Sequence, residues 1–207
     1  MYLLIHATQR KRQARRDVQG ETKNAEFAWP CHSLRGRQKR PGANGRALRD
    51  RGVALYATGG TADHLRAHAI EAHEIATLTG HPAMLDGRVK ALHPAVFAGL
   101  LAREGDDREL AGHGYSPIDF LIASIAPAAG TALADMDIGG PAMIRAAIKN
   151  AGRVVVATDP EDYAPIIAAL GKGRIGAALR RRLAHRALER LIEADTALLR
   201  RVAGRAD

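Results

Sequence analysis

The sequence predicts an α/β protein built from parallel βα units. Short apolar runs at Val53–Ala57, Asp119–Ile125 and Val154–Ala157 have the unbroken hydrophobicity of strands covered on both faces. Helical stretches follow the first and last of these runs, an alternation that favours βα units over a sandwich. From about Arg174 to Ala203 the chain turns Leu/Ala/Arg-rich and amphipathic, as one long helix or two short ones would be.

Taken in order, residues 1–46 show no sustained period of 2 or 3.6, and Gln, Arg, Lys, Gly and Asn dominate them. They read as a loosely ordered arm, although Tyr2–Ile5 has the composition of a short strand. A second unit, residues 47–207, holds the structured body. There the run VALYA ends at Thr58-Gly59-Gly60-Thr61 and passes into the helical DHLRAHA. Thr79–Leu101 opens as a loop, marked by Gly80, Pro82, Asp86-Gly87 and Pro94. Asp159-Pro160-Glu161-Asp162 is a helix start, with proline at the first position and acids in the first turn.

Composition narrows the function classes. The chain has 207 residues, 46% of them hydrophobic and 26% charged, which is ordinary globular material. No run approaches the ~18 apolar residues of a bilayer span, and MYLLIHATQRKRQARR has the wrong order for a secretory signal. A single cysteine, Cys31, leaves no disulfide framework and no Cys-based zinc site, so the expected location is the cytoplasm. The formal net charge of +9 invites a nucleic-acid reading. Its distribution argues against one. Residues 1–46 hold 11 of the 31 Lys/Arg and 3 of the 22 Asp/Glu, so the body is nearly neutral.

Three segments carry chemistry. In VALYATGGT, glycines and hydroxyls stand where a strand meets a helix, and the free N–H groups of the first turn favour an anion. A plain Gly-Gly turn explains the same residues. In TGHPAMLDGRVKALHPAVFAGLL, the residues Arg88, Lys90 and His93 fall within six positions. They make either a cationic pocket wall for a phosphorylated substrate or a solvated loop in which His93 caps the next turn. In MDIGGPAMIRAAIKN, Asp137 precedes a second Gly-Gly-Pro helix start, and Arg145 and Lys149 lie at i, i+4 on one face.

Together and in this order, YATGGTADHLRAHAI, LTGHPAMLDGRVKALHPAVFAGLLAR and DIGGPAMIRAAIKN resemble the IMP cyclohydrolase domain of the bifunctional purine-biosynthesis enzyme. The resemblance runs from Ala47 to near the C-terminus and does not extend to the transformylase domain. It implies the doubly wound, mostly parallel sheet shared with methylglyoxal synthase, with ligand at the carboxyl ends of the strands. It also implies ring closure of FAICAR to IMP with loss of water, no cofactor or metal, and a homodimer. By motif match, Lys90, Asp137 and Lys149 are the expected catalytic residues. Lys90 and Arg88 would hold the phosphate or polarise the formyl oxygen, Asp137 would orient or deprotonate the amide, and Lys149 would donate to the departing oxygen. Thr58, Gly59, Gly60 and Thr61 would cradle the 5′-phosphate, with Gly139 beside them.

The chain departs from the family at identifiable places. Ala126 stands where the family has a catalytic tyrosine, Ala91 replaces a threonine and Phe97 a histidine, and the loop from Pro127 to Asp137 is trimmed. The usual first strand and its S-V-S-D-K-T-G-L-V turn are missing, which puts the first βα unit in question. Codons for SLRGRQKRPGANGR, read one nucleotide later from within the Leu34 codon, are compatible with S-V-A-D-K-S-G-L-V. The arm is then in part a frame-shifted reading, which sequencing the encoding DNA tests. These departures keep a second expectation open, a non-catalytic module that binds purine nucleotides or phosphate. Methylglyoxal synthase stands on fold analogy alone.

Overall fold

The computed structural model describes residues 2–7, 53–125, 133 and 136–204. In chain order the elements are β1 (Tyr2–Ala7), β2 (Val53–Ala57), α1 (Gly59–Ala67), β3 (His73–Glu74), α2 (Ile75–Thr79), α3 (Pro94–Leu101) and α4 (Asp107–Gly112). Then come β4 (Phe120–Ala123), α5 (Gly139–Lys149), β5 (Val155–Ala157), a 3-10 turn (Pro160–Asp162), α6 (Tyr163–Gly171) and α7 (Ala177–Val202). The C-terminal amphipathic stretch is therefore one helix. Among the described residues, no helix is long and apolar enough to cross a membrane.

The strands form a single sheet in the order β3-β2-β1-β4-β5. β2 pairs parallel with β3, and β4 parallel with β5. β1 fills the centre and runs antiparallel to both neighbours, from Leu3↔Ala57 to Ala7↔Val53 on one side and from Tyr2↔Ala123 to Ile5↔Phe120 on the other. β2 and β4 both oppose β1, so every strand but β1 points the same way. This is the mostly parallel sheet expected, with a reversed strand in the central position. A parallel neighbour requires a crossover connection. β1 is separated from β2 by residues 8–52 and is free of that constraint.

Side-chain alternation along the strands divides the interior in two. Leu121, Ala123, Val154 and Val156 join Ile75, Val96, Leu100, Met143, Ile144 and Leu191, so α2, α3, α5 and part of α7 cover one face. Leu55, Ala57, Ile122, Val155 and Ala157 join Ala62, Leu65, Tyr163 and Ile166, so α1 and α6 cover the other. α7 closes the β5 edge and serves both layers, sending Leu183 to one core and Ala184, Ala187 and Leu191 to the other. Strands buried on both faces lose the polar/apolar alternation of a half-exposed sheet, which is why they read as unbroken apolar runs.

Candidate functional site

The carboxyl ends of β2, β4 and β5 lead into Thr58–Thr61, the segment before α5, and Thr158–Asp162 respectively. At the first of these, Thr58 is extended (φ −81°, ψ 146°) and its carbonyl accepts from Thr61 N (2.7 Å) and Ala62 N (3.1 Å). This closes the first turn of α1 without a side-chain cap. Thr58 and Thr61 are buried, whereas Gly59 and Gly60 are exposed, and a methyl group added to either glycine meets nothing within 4 Å. Packing therefore does not require glycine at positions 59 and 60. Glycine there leaves the first-turn N–H groups open to close approach.

The loop between α2 and α3 folds into a tight reversal. Met84 and Val89 bridge antiparallel, with Met84 N donating to Val89 O (3.0 Å). Leu85, Asp86 and Gly87 between them are all left-handed, at φ 51°, 54° and 83°. Only glycine adopts that region freely, so Leu85 and Asp86 store strain in the turn. Arg88 Nε donates back to Leu85 O (2.8 Å), fixing the guanidinium over the reversal. Lys90 is half-buried, and its Nζ lies 3.8 Å from where a Cβ on Gly87 would stand. The turn thus holds Arg88 through Leu85 O and brings Lys90 Nζ against Gly87. His93 takes the capping role the sequence allowed, its Nδ1 accepting from Ala95 N (3.2 Å) at the start of α3. That bond assigns the neutral ring's proton to Nε2. Tyr115 stands edge-on to this imidazole, with ring centres 6.4 Å apart.

Asp137 meets this loop. Its Oδ1 accepts from Gly140 N (3.3 Å) at the start of α5, where physical chemistry favours a carboxylate. A methyl group placed on Gly139 would lie 3.9 Å from Asp137 Oδ1 and 4.0 Å from Leu92 Cγ. The Asp137 carboxylate and the residue two beyond Lys90 therefore converge over a buried glycine. Lys149 is exposed at the opposite end of α5, about 15 Å along the axis from Gly139 at 1.5 Å per residue. The fold brings Leu92, two residues beyond Lys90, to Asp137 and Gly139, whereas Lys149 lies at the far end of α5. Ala126 and most of the trimmed loop lie outside the described residues, as does the arm apart from β1.

Two networks escaped the sequence reading. Asn150 Nδ2 donates to Leu100 O and Ala102 O (both 2.8 Å). Arg153 donates to Ala102 O (2.9 Å), Gly99 O (2.6 Å) and Ile118 O (3.0 Å), and pairs with Asp119 (3.2 Å). Burial lowers the Arg153 pKa, with Asp119 and then Asp107 acting against the shift. In the second network, the fully buried Asp162 accepts through Oδ2 from Thr158 N (3.0 Å) and Asp159 N (3.1 Å), and Arg186 Nη1 stands 3.0 Å from Oδ1. Burial raises the Asp162 pKa even so. Asp159 is pushed up by burial, but the Glu161 N–H and Arg190 outweigh this and leave it below its ordinary value. No local pattern announces the distant partners, Leu100, Ala102 and Ile118 in the first network and Arg186 and Arg190 in the second. Among the described residues there is no group of three or more His, Cys, Asp or Glu able to hold a metal ion.

Comparison with known proteins is specific. A family model described as MGS-like domain matches residues 44–162. The bifunctional purine biosynthesis protein PurH of Xanthomonas oryzae pv. oryzae (strain PXO99A) is 44% identical over 166 residues, covering 74% of this chain and 32% of that protein. PurH of Roseobacter denitrificans (strain ATCC 33942 / OCh 114) is 46% identical over 170 residues, with 75% and 32% covered. The chain thus spans about a third of the length of the curated relatives it matches. A crystal structure of ForH is similar at a TM-score of 0.70 and 33% identity, covering 76% of this chain and 90% of that one.

Proposed function

Because this chain belongs to the MGS-like domain family, we propose that it performs the ring closure of purine synthesis, converting FAICAR to IMP with loss of water. The observation that carries the reading is the approach of Asp137 and Leu92, two residues beyond Lys90, over Gly139, together with an open helix start at Gly59-Gly60. The similarity to proteins named for purine biosynthesis supports it.

The chemistry follows from the groups at hand. The substrate's carboxamide nitrogen attacks the neighbouring formyl carbon and gives a tetrahedral adduct, which then expels its oxygen as water. The Asp137 oxygen not occupied by Gly140 N orients the amide and takes its proton. The Lys90 ammonium stabilises the developing oxyanion and protonates it to a hydroxyl; the proton held by Asp137 then completes the departing water, and neutral Lys90 takes the formamide N–H proton as the ring C=N forms. Arg88 and the first turn of α1 anchor the 5′-phosphate, so that the reacting groups are held together. A positioned acid or base contributes roughly 10²–10⁴-fold in such steps. Lys149 has no part in this arrangement within one chain. The expected cytoplasmic location and homodimer belong to the same proposal.

A second reading, nucleotide binding without turnover, is favoured by Ala126, which leaves the family's phenol position without a hydroxyl. One experiment separates the two: following FAICAR conversion by absorbance, together with IMP affinity by calorimetry. Turnover supports ring closure, IMP binding without turnover supports the module, and absence of both overturns the placement of the site. Lys90→Ala is expected to lower turnover roughly 10²–10⁴-fold while leaving the fold intact. Unchanged turnover in that variant removes Lys90 from the pocket.

A further inference from the structure

We infer that Asn150 and Arg153 are positioning residues that set the separation of Lys90 and Asp137 from the far end of the two helices carrying them. This rests on the ring-closure reading. α3 begins four residues after Lys90, and α5 begins two residues after Asp137. The C-terminal ends of both helices meet in one hydrogen-bonded lock. Asn150, the residue after α5, donates to the carbonyls of Leu100 and Ala102 at the end of α3. Arg153 adds Gly99 O and Ala102 O from the same end, then ties in Ile118 O and Asp119 at the approach to β4. Gly99 permits this close approach, because a Cβ there would lie 2.7 Å from Ser116 O and 2.8 Å from Ile118 Cδ1.

The lock satisfies carbonyls that the last turn of α3 leaves without intrahelical partners. A surface cap or water would serve that purpose alone. Two planar donor side chains from one turn, converging on a single helix end, also fix the crossing of α3 on α5. α3 is about 12 Å long at 1.5 Å per residue, so a tilt of roughly 5° at the lock displaces its other end by about 1 Å. Misplacement on that scale costs on the order of 10²-fold in a positioned reaction. The IKN end of the family-like motif thereby acquires a role its sequence does not announce. Its asparagine acts on the site through the length of α3.

The test uses the full chain and two substitutions, Asn150→Ala and the conservative Arg153→Lys, with Leu191→Ala as a comparator. Leu191 is buried in α7 in the same apolar layer, so its truncation lowers stability through packing while leaving the lock's hydrogen bonds in place. Hydrogen exchange is read at Ala95 N and Gly140 N, the far ends of the two helices, together with turnover and IMP affinity well below each variant's melting point. Lock variants are expected to exchange at least 10-fold faster at those two amides, to turn over 10- to 100-fold more slowly, and to hold IMP within about threefold. Leu191→Ala is expected to change none of these. Faster exchange confined to residues 99–103 and 116–119, or equal losses in Leu191→Ala, overturns the inference. If the unmodified chain fails to convert FAICAR, the ring-closure reading falls, and the exchange at Ala95 and Gly140 still decides whether the lock positions the helix ends.

Discussion

The glycines of this chain divide into those the fold requires and those it does not. Gly99 belongs to the first kind: with backbone and a branched side chain inside 3 Å of its missing Cβ, alanine has nowhere to go. Gly99→Ala is expected to lower stability by about 1–3 kcal/mol in urea titrations, since overpacking against backbone cannot relax by rotamer change. Gly60 belongs to the second kind. Gly60→Ala meets open space within a helix and is expected to leave stability unchanged or slightly raised, while weakening inorganic phosphate and IMP binding at least tenfold in calorimetry. A tolerated Gly60→Ala with unaltered binding would remove the cradle from the site. Ala69 inverts the pattern, because it closes α1 in the left-handed region at φ 56° without being glycine. Ala69→Gly is therefore expected to stabilise the protein by roughly 0.5–1 kcal/mol, read as a rise in the urea midpoint.

At the scale of elements, the turn between β5 and α6 holds α7 in place through charge, and its pH dependence has a definite sign. Folding lowers the pKa of Asp159, so its contribution to stability is complete above the ordinary Asp value and fades as pH falls through the lowered one. Asp159→Asn keeps the side-chain oxygen that caps Glu161 N and removes only the charge facing Arg190. Urea titrations are expected to find the variant about 0.5–1 kcal/mol less stable at pH 7, the modest value of a partly exposed pair. That gap should narrow as both proteins are taken below the ordinary Asp value. Asp162 acts in the opposite direction, because burial raises its pKa and its ionised form weighs against folding at neutral pH. The start of this turn was legible in Asp159-Pro160-Glu161-Asp162, since proline and acids at a first turn are local chemistry. Its partners Arg186 and Arg190 were not, because they depend on how α7 crosses the sheet. The same division holds at the site. The cap at His93 and the glycines after β2 were readable from neighbours in sequence, whereas the lock of Asn150 and Arg153 on α3 was not. The distance of Lys149 from Asp137 becomes plain only once the intervening residues are known to be one unbroken helix.

Across the whole molecule, the position that matters most is the centre of the sheet. β2 and β4 each present an inner edge of backbone N–H and C=O groups, and β1 is the strand that pairs with both. Side-chain burial by α1 and α6 on one face, and by α2, α3 and α5 on the other, presupposes that this gap is closed. The +9 charge bears on the same segment. The excess sits in residues 1–46, which supply the central strand at their beginning and otherwise lie outside the described residues. A basic arm kept for binding nucleic acid could be removed without harm to the body; an arm that supplies the central strand could not. Leu4 pairs with Tyr56 on one side and Leu121 on the other, so proline at that position removes a ladder donor in mid-sheet. Leu4→Pro is expected to cost about 3 kcal/mol or more, and deletion of residues 1–7 is expected to abolish the single cooperative urea transition followed by circular dichroism. Both should also raise hydrogen exchange at Ala57, Leu121 and Ile122, the backbone partners of β1 in the ladders. If the shortened chain instead unfolds at the same midpoint with the same slope, the sheet holds without β1 and the arm is dispensable to the fold.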